Sequence, residues 1–203
     1  GTSKSYSTFQ AICNYILRSD SKRPILFLTP QKKNLKFDTM RVLYCAAYHR
    51  LHPSVSDEDI LKDFHRDCCF LNNKFSYLDR LINSELEIPS KVQKESTYTN
   101  MIMALRQRSV VPQDKWNFLF RDIESAFKEL ILNLMYDRFP NVKKPAESRE
   151  SRNEFLLSHL SVLDGIFPWV RELYPGTFIQ SKRVVFMSFD KFLYGNSSIF
   201  PYM

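Results

Sequence analysis

Between Thr2 and Asp164 the chain contains no glycine. Its four glycines are Gly1, Gly165, Gly176 and Gly195. A globular chain of 203 residues would ordinarily contain about 14 glycines. Glycine allows a positive φ and a close approach of the backbone to a ligand. Its absence therefore excludes, over this stretch, phosphate-cradling glycine loops and the Gly-x-Ser-x-Gly elbow of hydrolases. The gap favours packed helices and a protein that acts by contact.

The composition is that of an ordinary globular protein, with 44% hydrophobic and 25% charged residues. Seventeen Phe and ten Tyr residues are enough for a substantial core. The cysteines include the adjacent pair Cys68 and Cys69, which is a poor disulfide framework, so we expect reduced thiols in an intracellular protein. The longest uncharged apolar stretch, residues 155–163, is too short to cross a bilayer. We expect no membrane contact, and a nuclear location ahead of a cytoplasmic one.

Apolar residues recur at spacings of three and four along most of the chain, which predicts helices. The strongest pattern covers residues 114–139, a helix of about 39 Å. Its spacings of 4, 3, 4, 3 and 4 connect Trp116, Phe120, Ile123, Phe127, Leu130 and Leu134. The width of this stripe predicts burial on more than one side. We expect an all-α (mainly α) fold, a single irregular bundle of about eight or nine helices packed around helix 114–139.

The remaining pattern predicts helices over residues 6–18, 39–51, 57–70, 75–86, 98–108, 153–163, 167–174 and 183–194. Residues 25–28 are a short apolar run that indicates a lone strand or a buried extended segment, and residues 184–186 would also suit a strand. Residues 1–37 are predicted to form a basic helix and loop that is part of the domain. Residues 38–203 form the helical domain, with flexible loops near 87–97 and 140–152.

Positive charge is concentrated in the N-terminal segment. The chain has a net charge of +7, and residues 1–37 contain seven basic residues against one acidic residue. Clustered cations can neutralise phosphates, so the predicted nucleic-acid contacts are Lys22, Arg23, Lys32, Lys33 and Lys36. A solvated surface and a site for an acidic protein remain open alternatives. A further basic cluster lies at residues 143–152, and Lys182 with Arg183 forms another.

Aromatic residues exceed what one compact core of this size needs, and Trp and Tyr favour interfaces. The residues predicted as partner contacts are Phe118, Trp169, Tyr174, Phe178, Phe200 and Tyr202. Burial in the core is the alternative for each of them. Helices 114–139 and 153–174 could also form the seam of a homodimer.

Catalytic and metal-binding signals are weak. The spacing His49-x2-His52 followed by His65-x2-Cys68 would suit zinc, but Cys68 lies on an apolar stripe and no tight knuckle is present. His159 has serine neighbours, yet no glycine loop is available to form an oxyanion hole. We therefore predict no catalytic residue, no metal and no cofactor.

Together these features favour a non-enzymatic protein–protein interaction or dimerisation module of a larger intracellular protein. Its partner would be another protein, a peptide or a second copy of the chain. The alternative is an accessory nucleic-acid-binding helical domain, associated with DNA, telomeres or chromatin, that uses the basic N-terminal patch.

Overall fold

The computed structural model describes residues 2–21, 23–140, 149–194 and 198–199, and the description omits the side chains of residues 2, 3, 32, 149–151 and 194. The fold is mainly α, as the sequence predicts, with one small sheet. The helices are α1 (Thr2–Arg18), α2 (Phe37–Leu51), α3 (Asp57–Asp67), α4 (Lys74–Ile82), α5 (Ser90–Gln93), α6 (Ser96–Gln107), α7 (Gln113–Asp137), α8 (Arg149–Ile166), α9 (Pro168–Leu173) and α10 (Phe189–Tyr194). The strands are β1 (Ile25–Thr29), β2 (Cys68–Leu71) and β3 (Val184–Ser188), and 3₁₀ helices cover Lys32–Asn34 and Pro175–Ser181.

Two segments predicted as helix are strands. Residues 68–70, predicted as the end of the third helix, belong to β2. Residues 184–188, predicted as the start of the last helix, form β3, which confirms the alternative of a strand at residues 184–186. All side chains of both strands are buried. A strand covered on both faces has a continuous apolar run, which periodicity alone does not distinguish from a buried helix. The run at residues 25–28 is a strand, and it is paired rather than alone.

The loop predicted near residues 87–97 contains a helical turn, α5, because Val92 is buried and anchors it. Of the loop predicted near 140–152, residues 141–148 lie outside the described residues, and α8 begins at Arg149. Helix α7 confirms the long helix predicted over 114–139.

Two compact units make up the chain. Unit 1 comprises residues 1–72 and 179–195, and unit 2 comprises residues 73–178 and 196–203. Helix α7 belongs to unit 2, whereas all three strands belong to unit 1.

Unit 1 is built on a parallel sheet with the order β1-β3-β2. Val184 in the central strand is in register with Ile25 on one side and Cys68 on the other. Helices α2 and α3 occupy the connection between β1 and β2, which a parallel arrangement requires. Phe186 of β3 stacks on Phe70 of β2, with ring centres 4.2 Å apart.

The described residues of unit 2 form helices joined by loops, without a strand, and the core of the unit surrounds α7. Trp116 stacks on Phe120 at 4.4 Å, and its indole N–H donates to the carbonyl oxygen of Ala104 in α6 at 2.7 Å. The hydrogen bond joins α6 and α7 as neighbouring helices.

The chain makes a left-handed turn without glycine at the end of α4. Among the described residues, Ser84 is the one non-glycine residue with a positive φ, at 54°. The N–H of Glu85 donates to the carbonyl oxygen of Arg80 at 3.1 Å. This pattern is typical of helix ends at which glycine usually occupies the left-handed position.

Candidate functional site

Of the aromatic side chains predicted to contact a partner, Phe118 is exposed on the outer face of α7. Its side chain is 62% exposed, and the guanidinium carbon of Arg121 lies 5.2 Å from its ring centre. Trp116 and Phe120 on the same helix are buried, so Phe118 points away from the core that they form. It remains a candidate contact residue.

The other predicted aromatic contacts are not on the described surface. Trp169, Tyr174 and Phe178 lie in the core of unit 2, where a partner does not reach them in this structure. Their apolar neighbours on α7, α8 and α9 remove them from water, which favours burial over exposure. Phe200 and Tyr202 lie outside the described residues.

An exposed apolar surface that was not among the predicted contacts lies on α10. Phe189, Phe192 and Leu193 are 44%, 50% and 63% exposed. Their spacing of i, i+3 and i+4 places them on one face of the helix. Lys191, on the opposite side, is buried. We call the three apolar residues the α10 stripe. A helix at a protein surface ordinarily turns its apolar face inward. In α10 this arrangement is inverted, because the apolar face is exposed and the lysine is buried.

The start of α10 is fixed to the central strand of unit 1. Ser188 ends β3, and its side-chain oxygen accepts a hydrogen bond from the backbone N–H of Lys191 at 3.3 Å. This is the contact of an N-cap residue, which satisfies one of the free donors of the first turn. Asp190 adds a negative charge in that turn. Because the cap and buried Lys191 hold the helix, the stripe faces outward.

The area of the stripe does not by itself mark an interface. With roughly 200 Å² for a whole side chain of this size, its three residues expose on the order of 300 Å². The largest apolar patch of an ordinary monomer is about as large. What distinguishes the stripe is the inversion, since three large side chains on one helix face are exposed while a lysine is buried.

The predicted basic residues do not form one patch. Arg23, Lys33 and Lys36 are exposed, Lys22 lies outside the described residues, and the side chain of Lys32 is not described. Arg23 precedes β1, whereas Lys33 and Lys36 follow it. A strand of five residues separates the two groups by about 17 Å.

The basic pair at the start of β3 has structural contacts. Lys182 is buried, and its ammonium donates to the carbonyl oxygen of His65 at 3.0 Å. Arg183 donates to the carbonyl oxygens of Ile16, Ser19 and Ser21 at the end of α1. These donors satisfy carbonyls that a helix end leaves without partners. The pair therefore stabilises unit 1.

The residues of the zinc-like spacing have separate contacts. His49 Nε2 lies 2.7 Å from Asp57 Oδ1, the ring of His65 stacks on Phe37, and Cys68 is buried in β2. Across the described ranges, no group of three or more His, Cys, Asp or Glu side chains is placed to hold a metal ion.

The serine next to His159 lacks a usable base. His159 Nδ1 lies 2.9 Å from Ser158 Oγ and 2.9 Å from the carbonyl oxygen of Phe155. A carbonyl oxygen only accepts hydrogen bonds, so Nδ1 carries its proton and cannot take another from Ser158. Burial also raises the pKa of the Cys13 and Cys69 thiols to about 12, which leaves them unreactive at neutral pH.

In comparisons with known proteins, no family model and no curated protein matches the chain. In the part of the chain that the structure describes, no helix is both long and apolar enough to cross a membrane.

Proposed function

We propose that the chain is a non-enzymatic protein-interaction module that docks a protein or peptide through the α10 stripe. The observation that carries the proposal is the inversion of α10, which exposes Phe189, Phe192 and Leu193 and buries Lys191. A partner that offers an apolar groove would remove all three side chains from water at once, in the manner of a helix bound in a groove.

The magnitudes favour a transient complex. Burial of about 300 Å² at about 25 cal/mol per Å² supplies roughly 7–8 kcal/mol. Association costs about 4–15 kcal/mol in lost freedom of motion, so the stripe alone supports a modest affinity. A stable homodimer buries about 800 Å² on each subunit, well above what the stripe offers. We therefore propose a different protein or peptide as the partner, with a second copy as an outcome of the test.

The test compares partners cross-linked in cells to the wild-type chain and to the double variant Phe192→Asp with Leu193→Asp. Val42→Asp is the control, because Val42 is an exposed apolar residue on α2, outside the stripe. We expect at least one partner that is absent with the stripe variant and retained with the control. An identical set of partners for all three proteins would contradict the proposal. Light scattering of the purified chain determines whether the stripe pairs two copies instead.

A second candidate function is nucleic-acid binding, which the exposed, unpaired cations near β1 favour. Among the described residues, Arg23, Lys33 and Lys36 make no ion pair. Titration against duplex and single-stranded DNA at several salt concentrations tests this function. Removal of one cation that neutralises a phosphate should reduce the slope of log K against log salt concentration by about 0.9 for duplex DNA. We expect Lys33→Glu with Lys36→Glu to weaken binding and Lys115→Glu on α7 to leave it unchanged. No binding at low salt would rule the function out.

We also propose an intracellular location, with the nucleus ahead of the cytoplasm. The free, mostly buried thiols suit a reducing compartment, and the basic segment before residue 38 suits a compartment rich in nucleic acid. Imaging of the chain tagged with a fluorescent protein tests the location.

A further inference from the structure

The two edges of the sheet in unit 1 differ in exposure. The sheet has the order β1-β3-β2, so β1 and β2 are its edge strands. Every side chain of β2 and of the central strand β3 is buried. In β1 only Thr29 is buried, and Leu26 is 47% exposed. Side-chain exposure therefore points to β1 as the edge that a further strand can reach.

Two residues of β1 direct their backbone groups away from the sheet. The N–H of Ile25 donates to the carbonyl oxygen of Arg183 at 2.8 Å, so the backbone groups of Ile25 face β3. Successive residues of a strand alternate in direction, and Leu26 and Leu28 therefore present their N–H and C=O groups at the outer edge. Among the described residues, none pairs with these groups. The edge thus offers two donors and two acceptors to an added strand.

The edge is short and has a proline on each side. Pro24 precedes β1 and Pro30 follows it. Proline has no N–H, so a segment added to this edge pairs over no more than the five residues of the strand. Short length and flanking proline also protect an edge strand against unselective pairing. A specific partner of this edge therefore needs contacts in addition to backbone hydrogen bonds.

Positive charge at both ends of β1 can supply those contacts. Residues 21–37 contain five basic residues and no acidic residue. Arg23 precedes the strand, Lys33 and Lys36 follow it, and all three are exposed. The separation of about 17 Å between the two groups is too long for one compact patch, but it equals the length of a strand laid along β1. An extended segment with acidic residues at both ends would pair with both groups at once.

We propose that the outer edge of β1 binds an acidic, extended segment of another protein, which adds a fourth strand to the sheet. The backbone of the segment pairs with the N–H and C=O groups of Leu26 and Leu28, as in other complexes formed by strand addition. Every second side chain of the segment lies on the face of Leu26, where an apolar residue covers the exposed leucine. The acidic ends select the partner by charge complementarity. Binding at this edge does not require the α10 stripe.

The first experiment measures the binding of labelled peptides to the full chain by fluorescence anisotropy. The probe is Glu-Glu-Thr-Val-Thr-Val-Thr-Glu-Glu, and two further peptides are N-methylated, one at each Thr and one at each Val. N-methylation removes the N–H donor and keeps every charge. We expect saturable binding of the probe, and a difference of about tenfold or more between the two methylated peptides, because only one set of N–H groups faces β1. No saturable binding of the probe, or equal affinity of the methylated peptides, would overturn the proposal.

Leu26→Pro tests the same edge from the side of the protein. It removes one outward N–H and leaves the ladder between β1 and β3 intact. We expect the probe to bind about tenfold more weakly to this variant, whereas Leu26→Val, which keeps the N–H, should change binding by less than about threefold. Unchanged binding by a folded Leu26→Pro variant would refute the edge. If this variant fails to fold, the methylated peptides still decide.

The charged ends have their own variants. Lys33→Glu with Lys36→Glu should weaken binding of the probe about tenfold and strengthen binding of a peptide with Lys in place of each Glu. Lys115→Glu on α7 is the control and should change neither affinity. If the lysine variant loses the probe while the two methylated peptides bind equally, the cations attract polyanions in general, as the nucleic-acid function requires, and strand addition is refuted.

Discussion

Replacement of Arg183 by methionine should destabilise unit 1 by about 2–4 kcal/mol. The guanidinium donates to the carbonyl oxygens of Ile16, of Ser19 at 3.2 Å and of Ser21 at 3.0 Å. A hydrogen bond from a charged donor contributes about 1.5–3 kcal/mol in net terms. Three bonds at the lower end would contribute about 4.5 kcal/mol, and we expect somewhat less than this sum because Arg183 is half-buried and water can replace part of what is removed. Methionine keeps most of the length of the side chain but none of the donors.

Hydrogen exchange of the β3 amides is the appropriate assay. Tryptophan fluorescence is less informative, because Trp116 and Trp169 both belong to unit 2. A loss of 2–4 kcal/mol corresponds to exchange faster by about 30- to 700-fold. Arg18→Met is the matched control, since Arg18 has the same charge at the same end of α1 and should cost no more than about 0.5 kcal/mol. If both variants accelerated exchange equally, the hydrogen-bond argument would be refuted, because the loss of a positive charge near the end of α1 would then explain the effect.

Three further predictions concern the backbone and the thiols. Ser84→Gly should raise stability by about 0.5–1 kcal/mol because it relieves the positive φ, whereas Ser84→Ala should not; thermal unfolding measures both. The thiols of Cys13 and Cys69, with pKa values raised to about 12 from 9.0, retain their protons more firmly in the folded than in the unfolded state. Their contribution to stability is therefore complete below pH 9.0 and lost as the pH rises towards 12, by up to about 1.4 kcal/mol per thiol and pH unit. Urea unfolding across this range should show the decline, and Cys69→Ala should make it shallower. In a titration of the native protein with a disulfide reagent, the half-exposed Cys45 should react before the buried thiols.

The mainly α fold and helix α7 could be predicted because a long periodic stripe allows few alternatives. The sheet could not be predicted in full. Its central strand, Val184–Ser188, pairs with segments more than a hundred residues earlier in the chain, and no local pattern specifies such partners. A short, wholly buried strand also has the composition of a buried helical turn.

The candidate site was predicted less well, for a different reason. Residue type indicates that Tyr174 and Trp169 favour contact with other apolar side chains. It does not indicate whether those side chains belong to another chain or to the core of the same chain. The apolar spacing of Phe189, Phe192 and Leu193 is visible in the sequence, yet such a stripe predicts burial. Its exposure follows from the cap at Ser188 and the burial of Lys191, which only the structure shows.

The strand order of unit 1 has a consequence for synthesis on the ribosome. β1 and β2 emerge early, but each bonds to β3 rather than to the other. Residues 73–178 are made in between and form the contiguous part of unit 2, so they can fold while the first 72 residues still wait with two unpaired strands. Such strands are prone to aggregate. Premature termination after residue 72 but before residue 184 would therefore disable unit 1 while leaving every residue of its first segment unchanged.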